Sequence, residues 1–313
     1  LTKQAILFII FNRPVTTQRV FDAIRNAQPA RLYIAADAAR TGYAADEEKC
    51  KATRAITEQI DWPCEVKRLY RDNNLGCGKA VSEAINWFFA HETEGIILED
   101  DCLPHPDFFR FAATMLEYYR NDRRIISING SSLGYHPAGN HSYSYSRFMN
   151  MWGWATWRDR AMQIDYQMHE WKAVRNKTWW LYNHTKQYLF DTDINWYRLW
   201  RDKFIKVAAD PNFTWDWQWM FRQLKNKQLS IVPAVNLISN IGFDAEATHT
   251  FETANPAANI PVEAMPLQLI HPSVMAPDFV YEEQYVKWVW CYHKRLPALF
   301  YIKQFISRLI RRS

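Results

Sequence analysis

Glycine is scarce in this chain, at nine residues in 313, which excludes collagen-like and Gly-rich fibrous folds. The sequence holds no uninterrupted apolar run of about eighteen residues, so no helix is expected to span a bilayer. The opening residues, Leu1-Thr2-Lys3-Gln4, lead straight into a short apolar run and carry no signal-peptide cleavage pattern. The five cysteines (Cys50, Cys64, Cys77, Cys102, Cys291) are odd in number and widely spaced, with no CxxC pair. That argues against a disulfide framework and a cysteine zinc site, and fits a reducing, cytoplasmic compartment. Acidic residues are missing from residues 284–313, which contain seven Lys/Arg and no Asp/Glu. The rest of the chain holds 31 basic and 33 acidic side chains, so the formal charge of +5 belongs to the tail. The body lacks the basic face that nucleic-acid binding needs, and no nucleic-acid partner is expected.

What is present is core-forming material. Hydrophobic residues make up 48% of the chain and aromatics 16%, which excludes wholesale disorder. The length suits two domains or one large α/β domain. Residues 5–11 form a continuous apolar run, as a strand buried on both faces would. Residues 16–27 place Val20, Phe21 and Ile24 at helical spacing. Strand patterns follow at 31–36, 64–70, 95–98 and 125–129, and helix patterns at 47–60, 78–91 and 106–119, the last with proline early as helix starts allow. Repeated β-α units predict an α/β fold, a mostly parallel sheet with helices on both faces. Ligands of such sheets bind beyond the carboxyl ends of the strands, which singles out the loops after Phe11, Ala36, Tyr70 and Leu98.

The texture changes near residue 131. Eleven of the fifteen tryptophans lie between Trp152 and Trp219. They read either as an aromatic core or as flat rings that suit the apolar faces of sugars. Residues 230–240 return to a strand-like run, and the Pro-rich stretch 255–277 reads as irregular. The chain is thus divided into an α/β half (1–130), a second half of the same domain (131–280) and a basic tail (281–313). In the tail, Leu299, Ile302, Ile306 and Leu309 form an apolar stripe, with Lys303, Arg308, Arg311 and Arg312 mostly off it. This amphipathic helix either lies on a membrane surface, which would make the protein peripheral at the inner face of the membrane, or packs back on the body.

The sharpest local signal is Glu99-Asp100-Asp101, three carboxylates directly after the short apolar run Ile96-Ile97-Leu98. Like charges this close are costly unless something cationic sits among them. In an extended strand Glu99 and Asp101 would face one side and Asp100 the other. Mg²⁺ or Mn²⁺, hard cations with oxygen ligands, are the natural occupants; a solvated acidic turn capping the next helix is the alternative.

The segment Leu98-Glu99-Asp100-Asp101-Cys102-Leu103-Pro104 followed by Pro106-Asp107-Phe108-Phe109 resembles the E-D-D segment of GT-A fold nucleotide-diphospho-sugar glycosyltransferases. The resemblance is to a bacterial family similar to Golgi N-acetylglucosaminyltransferase I. It extends to Phe11-Asn12-Arg13-Pro14, Ala36-Asp37, Arg71-Asp72-Asn73-Asn74-Leu75-Gly76, Trp152-Gly153-Trp154 and Trp215-Asp216. It implies transfer, with inversion, of a sugar from a nucleotide diphosphate donor, UDP-linked N-acetylglucosamine among them, to a saccharide or glycan hydroxyl in polysaccharide biosynthesis. Phe11, Asn12, Arg13, Asp37, Asn74, Lys79, Glu99 and Asp100 would line the donor site. Arg13 would reach the diphosphate and Asp37 the base, favouring a uracil imide. Lys79 opens a helix whose N-terminal N–H groups also suit a diphosphate. Asp101, joined by His249, would hold Mn²⁺ or Mg²⁺. Trp152, Gly153, Trp154 and Trp215 would lie on the acceptor side. Asp216 would be the catalytic base that takes the acceptor proton; the alternative is an N-cap of a helix beginning at Trp217. Two competing functions remain. A nucleotidyltransferase would typically carry a Gly-rich loop after the first strand, and residues 11–14 contain no glycine. A catalytically silent carbohydrate-binding protein would use the tryptophan cluster alone.

Overall fold

A computed structural model describes residues 2–185, 194–243 and 255–291. The apolar run near the N-terminus becomes strand β1 (Ile6–Ile10), buried throughout. Its alternate residues serve two cores: Ile6, Phe8 and Ile10 on one face, Ala5, Leu7 and Ile9 on the other. That double burial explains why the run is apolar without alternation. Helix α1 (Pro14–Ala27) opens with proline at its first position and buries Val20, Phe21 and Ile24. Strand β2 (Arg31–Ala36), helix α2 (Ala44–Ile56), strand β3 (Glu65–Tyr70) and helix α3 (Cys77–His91) follow. Helix α2 starts and stops earlier than its sequence pattern suggests. Thr57 closes it, its hydroxyl donating to Arg54 O at 2.7 Å and meeting the Tyr70 hydroxyl at 2.8 Å. Strand β4 (Glu94–Glu99) carries the first acidic residue of the cluster at its end. Short β5 (Cys102–Pro104), helix α4 (Pro106–Tyr118) and β6 (Ile125–Asn129) complete the α/β half.

The second half contributes β7 (Tyr143–Ser146), β8 (Trp154–Trp157) and helices α5 (Arg158–Ala161), α6 (His169–Val174), α7 (Thr178–Thr185), α8 (Ile194–Ala209) and α9 (Asp216–Asn226). Strands β9 (Leu229–Pro233) and β10 (Ile238–Asn240) and helix α10 (Phe279–Trp288) follow. Among the described residues the main sheet has eight strands in the order β3-β2-β1-β4-β8-β6-β9-β7. Strands β1 to β4 are mutually parallel where they pair, and β6 pairs parallel to β9. Strands β8 and β7 run against their neighbours. The expected α/β architecture, mostly parallel with helices on both faces, is therefore the one observed. The amphipathic basic helix expected over the last 20 residues of the 281–313 tail lies outside the described residues, which reach residue 291. No described helix is long and apolar enough to cross a membrane.

The strand-like run 230–240 is two strands in two sheets. The side chain of Asn236 interrupts it: Oδ1 accepts from Ser131 Oγ at 2.9 Å and Ser132 N at 3.1 Å, and Nδ2 donates to Ile260 O and Pro261 O. Strand β10 leaves the main sheet and pairs antiparallel with β5, which lays residues 240–243 beside the acidic turn.

Most of the tryptophan-rich region is core. Trp154, Trp171, Trp196, Trp200 and Trp219 are fully buried. They pack with Phe204, Phe221 and Trp217 on the α3 face of the sheet. Each such ring removes a large apolar area from water, and that burial holds the short helices of this half against the sheet.

Candidate active site at the carboxyl ends of β1 and β4

Strands β1 and β4 are parallel neighbours, with Ile9 opposite Glu99. The chain leaving β1 therefore passes directly beside the carboxylate turn. Phe11 N donates to Asp100 Oδ2 at 3.0 Å, and Arg13 Nη1 pairs with Asp101 Oδ2 at 2.9 Å. Arg13 is thus the cation that the acidic cluster requires. Among the described residues Asp101 Oδ1 receives only the Cys102 thiol, at 3.4 Å, and the Asp101 carbonyl accepts from Ile241 N at 2.8 Å. Gly242 covers the pair so closely that a Cβ there would sit 2.3 Å from Asp101 Oδ2 and 2.7 Å from Arg13 Nη1.

Burial and repulsion act strongly on the turn. Asp100 is pushed up to about 7, first by burial and then by the Asp101 charge, with Arg13 and the Phe11 N–H pulling it down. Glu99 is driven well above the usual carboxylate range by burial and by Asp101, Asp100 and Asp216, with Arg13 opposing. No hydrogen bond from a described residue reaches the Glu99 carboxylate.

Asp216 comes to the same place from more than a hundred residues away. It is the first residue of α9, where its Oδ1 accepts from the Thr214 hydroxyl and from Trp217 N at 2.8 Å. The loop leading to it lies on the first turn of α3, since a Cβ on Gly78 would stand 2.2 Å from Asn212 O. The charges of Glu99, Asp216, Asp101 and Asp37 all act on Cys77, and burial and those charges push its thiol far up. Cys77 is therefore a neutral thiol among carboxylates, not a nucleophile.

Asp37 is more constrained than expected. Its carboxylate accepts from Ala38 N at 2.9 Å, Leu75 N at 3.0 Å, Gly76 N at 3.1 Å and Asn74 Nδ2 at 3.1 Å. Four donors fill the roughly four lone-pair positions of a carboxylate, so a base N–H finds no vacant acceptor there. Instead, Asp37 fixes the loop between β3 and α3, with Asn74 also donating to Ala38 O at 2.7 Å. Burial raises its carboxyl above the ordinary value against the pull of these N–H groups. Lys79, half exposed in the first turn of α3, lies 3.9 Å from Glu83. Together with Arg71 and Asn73 they line an open cavity of about 360 Å³.

Asn12 donates to Asp46 Oδ1 at 2.8 Å, and Arg40 clamps Asp46 with contacts of 2.6 and 2.9 Å. This clamp, with the Asn12 contact, lowers the Asp46 carboxyl to about 2. The Arg40 guanidinium also lies 5.7 Å from the Phe11 ring centre. Phe11 and Asn12 thus rest on an Arg40–Asp46 pair that sequence reasoning missed. An acidic residue in the first turn of α2 was visible in the sequence, but nothing in it showed that Asp46 is buried.

On the side expected to meet the acceptor, the four residues separate. Trp154 is fully buried, stacked on Trp215 at 6.0 Å and meeting Trp219 edge-on at 4.9 Å. Trp215 is also buried. Neither offers an open face to a sugar, so of the two readings of the tryptophans the aromatic core is the one these two follow, and their expected acceptor-side contact is corrected. Trp152 stays partly exposed and meets Phe243, next to Gly242, at 5.6 Å. Gly153 has φ +62°, and a Cβ there would strike Ile238 at 2.6 Å, so glycine is required on both counts. His249 lies outside the described residues. Among those residues, no three His, Cys, Asp or Glu side chains converge to hold a metal ion.

No protein-family model matches the chain, and neither does any curated protein. Solved structures match distantly. Mouse xyloside xylosyltransferase 1 in its apo form is 9% identical over 72% of this chain and 82% of its own, with a TM-score of 0.35. HddC from Yersinia pseudotuberculosis is 11% identical over 50% and 77%, with a TM-score of 0.31. A UDP-glucose pyrophosphorylase complexed with UDP-glucose is 12% identical over 51% and 71%, with a TM-score of 0.28. At these values none of the likenesses bears on what this chain does.

Proposed function

We propose that this chain is a glycosyltransferase that moves a sugar from a nucleoside diphosphate donor to a saccharide hydroxyl. The observation that carries this reading is the convergence of Arg13, the Glu99–Asp101 turn and Asp216 at the carboxyl ends of β1 and β4. A cation, a carboxylate cluster and a separate carboxylate on a helix start are what inverting transfer uses. Arg13 and Lys79 would neutralise the diphosphate as it leaves. Asp216, held by the Thr214 hydroxyl and the Trp217 N–H, would accept the acceptor's proton as its oxygen attacks the anomeric carbon. The partly exposed Trp152 is the ring best placed to meet a sugar. Asp37 would position the 73–79 loop, and the preference for uridine loses the support that a free Asp37 would have given it.

A divalent cation fits this site by donor chemistry. Among the described residues Glu99 accepts no hydrogen bond and Asp101 Oδ1 meets only a thiol, and hard carboxylate oxygens suit Mg²⁺ or Mn²⁺. Glu99 and Asp101 would hold the ion, which when bound would offset charge on the leaving diphosphate. The test is a panel of nucleotide sugars incubated with the protein in Mn²⁺ and in chelator, followed by NMR. Release of free sugar or a glycoside with nucleoside diphosphate supports the reading. Donor cleavage only with added pyrophosphate would make the chain a nucleotidyltransferase. No consumption of any donor, with sugar binding retained, would leave a carbohydrate-binding protein.

A further inference from the structure

At the opposite end of the sheet, a cavity of about 400 Å³ lies between the start of β6, the turn after β8 and the end of α9. Its lining includes Arg123, Arg124, Arg160, Arg222 and Lys227. Helix α9 begins at Asp216 and ends at Asn226, so at about 1.5 Å per residue the two sites stand roughly 15 Å apart along one helix.

The charges in the cavity do not cancel. Asp159 pairs with Arg160 at 2.6 Å and with Arg123 at 2.8 Å. Asp122 pairs with Arg124 at 2.6 Å. Five cations thus meet two carboxylates, an excess of three. Among the described residues no carboxylate pairs with Arg222 or Lys227; Arg222 instead donates to Gln163 Oε1. The cluster is built, not merely collected at the surface. The Arg160 side chain is 3% exposed, and its Nη2 donates to the carbonyls of Tyr119, Arg120 and Asp122 at 3.2, 2.9 and 3.2 Å. Those bonds fix the turn that carries Arg123 and Arg124.

A helix C-terminus would normally oppose an anion. Here two of the terminal carbonyls, those of Gln223 and Leu224, are already occupied. Lys227 takes the left-handed conformation at φ +52°, and its N–H reaches Gln223 O and Leu224 O. Gln228 N donates to Gln223 O at 3.0 Å. That closure satisfies these two carbonyls within the chain, and the five basic side chains offset the negative helix end.

We propose that this cavity is a second ligand site, separate from the donor site, which binds a multiply charged phosphate-type anion. Guanidinium groups suit phosphate oxygens through forked, charge-assisted bonds, and the volume lies in the range of small-molecule sites. The anion is either a phosphate-bearing lipid headgroup or a soluble polyphosphate.

The probe is inorganic tripolyphosphate, titrated calorimetrically into the full chain in chelator. Saturable binding that weakens as salt rises is expected. The double variant Arg222→Gln/Lys227→Gln should weaken it about tenfold or more, since two charge-assisted contacts are lost. The binding that depends on Arg222 and Lys227 should be unchanged in Lys79→Ala, whatever the donor site itself takes up. Neither Arg222 nor Lys227 is buried, so the double variant should keep the wild-type circular dichroism spectrum. Co-sedimentation with phosphatidylglycerol-containing vesicles, lost in the double variant, would identify a lipid headgroup; tripolyphosphate binding without vesicle binding would identify a soluble ligand. Absence of tripolyphosphate binding, equal binding by the double variant, or loss of the Arg222- and Lys227-dependent binding in Lys79→Ala would overturn the proposal.

Discussion

Asp100 offers the sharpest test of the electrostatics at the carboxylate turn. Its carboxyl is raised from 3.8 to about 7 in the folded chain, chiefly by burial. A carboxyl whose folded pKa is raised adds stability that is fully present below the unfolded value. That contribution is lost as pH climbs through the folded value. The wild-type protein should therefore lose stability from about pH 4 to about pH 7 and level off above that, once Asp100 is charged in both states. The rise is worth at most about 4 kcal/mol, at about 1.36 kcal/mol per pKa unit, and Arg13 and solvent at the turn reduce it. Asp100→Asn keeps an oxygen for the Phe11 N–H and cannot ionise. In chelator it should melt at least a few degrees above wild type at pH 8.5, given about 2–4 °C per kcal/mol for a chain of this order. At pH 5 the difference should be less than half as large, because the unfolded carboxyl is already ionised there. Thermal unfolding followed by circular dichroism at both pH values decides it. An equal difference at both pH values, or a wild-type protein more stable at pH 8.5, would refute the picture of a charge held against its will.

Substitutions at three further positions probe neighbouring claims. Gly242→Ala drives a methyl into the Arg13–Asp101 pair, so it should cost about 1–3 kcal/mol in urea unfolding and weaken donor binding at least tenfold. Asp37→Asn turns an amide donor toward N–H groups of the 74–76 loop. It should cost about 1–3 kcal/mol and speed hydrogen exchange at Leu75 and Gly76, whereas unchanged exchange there would count against the anchoring role. Trp154→Ala should cost about 3–5 kcal/mol. Trp154→Phe should cost much less because it removes a buried Nε1–H that has no partner, and similar losses in the two variants would contradict a core position.

The elements of the α/β half were legible because each has one dominant cause. Strand β1 is apolar on both faces because both are covered, and α1 and α4 start at prolines that end the preceding segment. The acidic turn was legible as a place where a cation is needed, but not that Arg13 supplies it. That pairing depends on β1 and β4 being neighbours, a fact of sheet order. The filling of Asp37 was hidden for the same reason, since its donors lie 37 to 39 residues further along, apart from Ala38. Trp154 could not be separated from Trp152 in the sequence. Both sit in one short motif, and only the later arrival of Trp215 and Trp219 buries Trp154 and leaves Trp152 at the rim. The break inside 230–240 depends on Asn236 reaching the chain at 131–132 and 260–261, which no local pattern records.

The central claim is that the carboxylate turn binds the donor while Asp216 performs the proton transfer. Turnover and donor affinity of Asp216→Asn, measured side by side with the donor found in the nucleotide-sugar panel, test it most directly. The account predicts that kcat falls about a hundredfold or more, within the usual reach of a general base, while the donor Kd stays close to wild type. Undiminished turnover in that variant would contradict it.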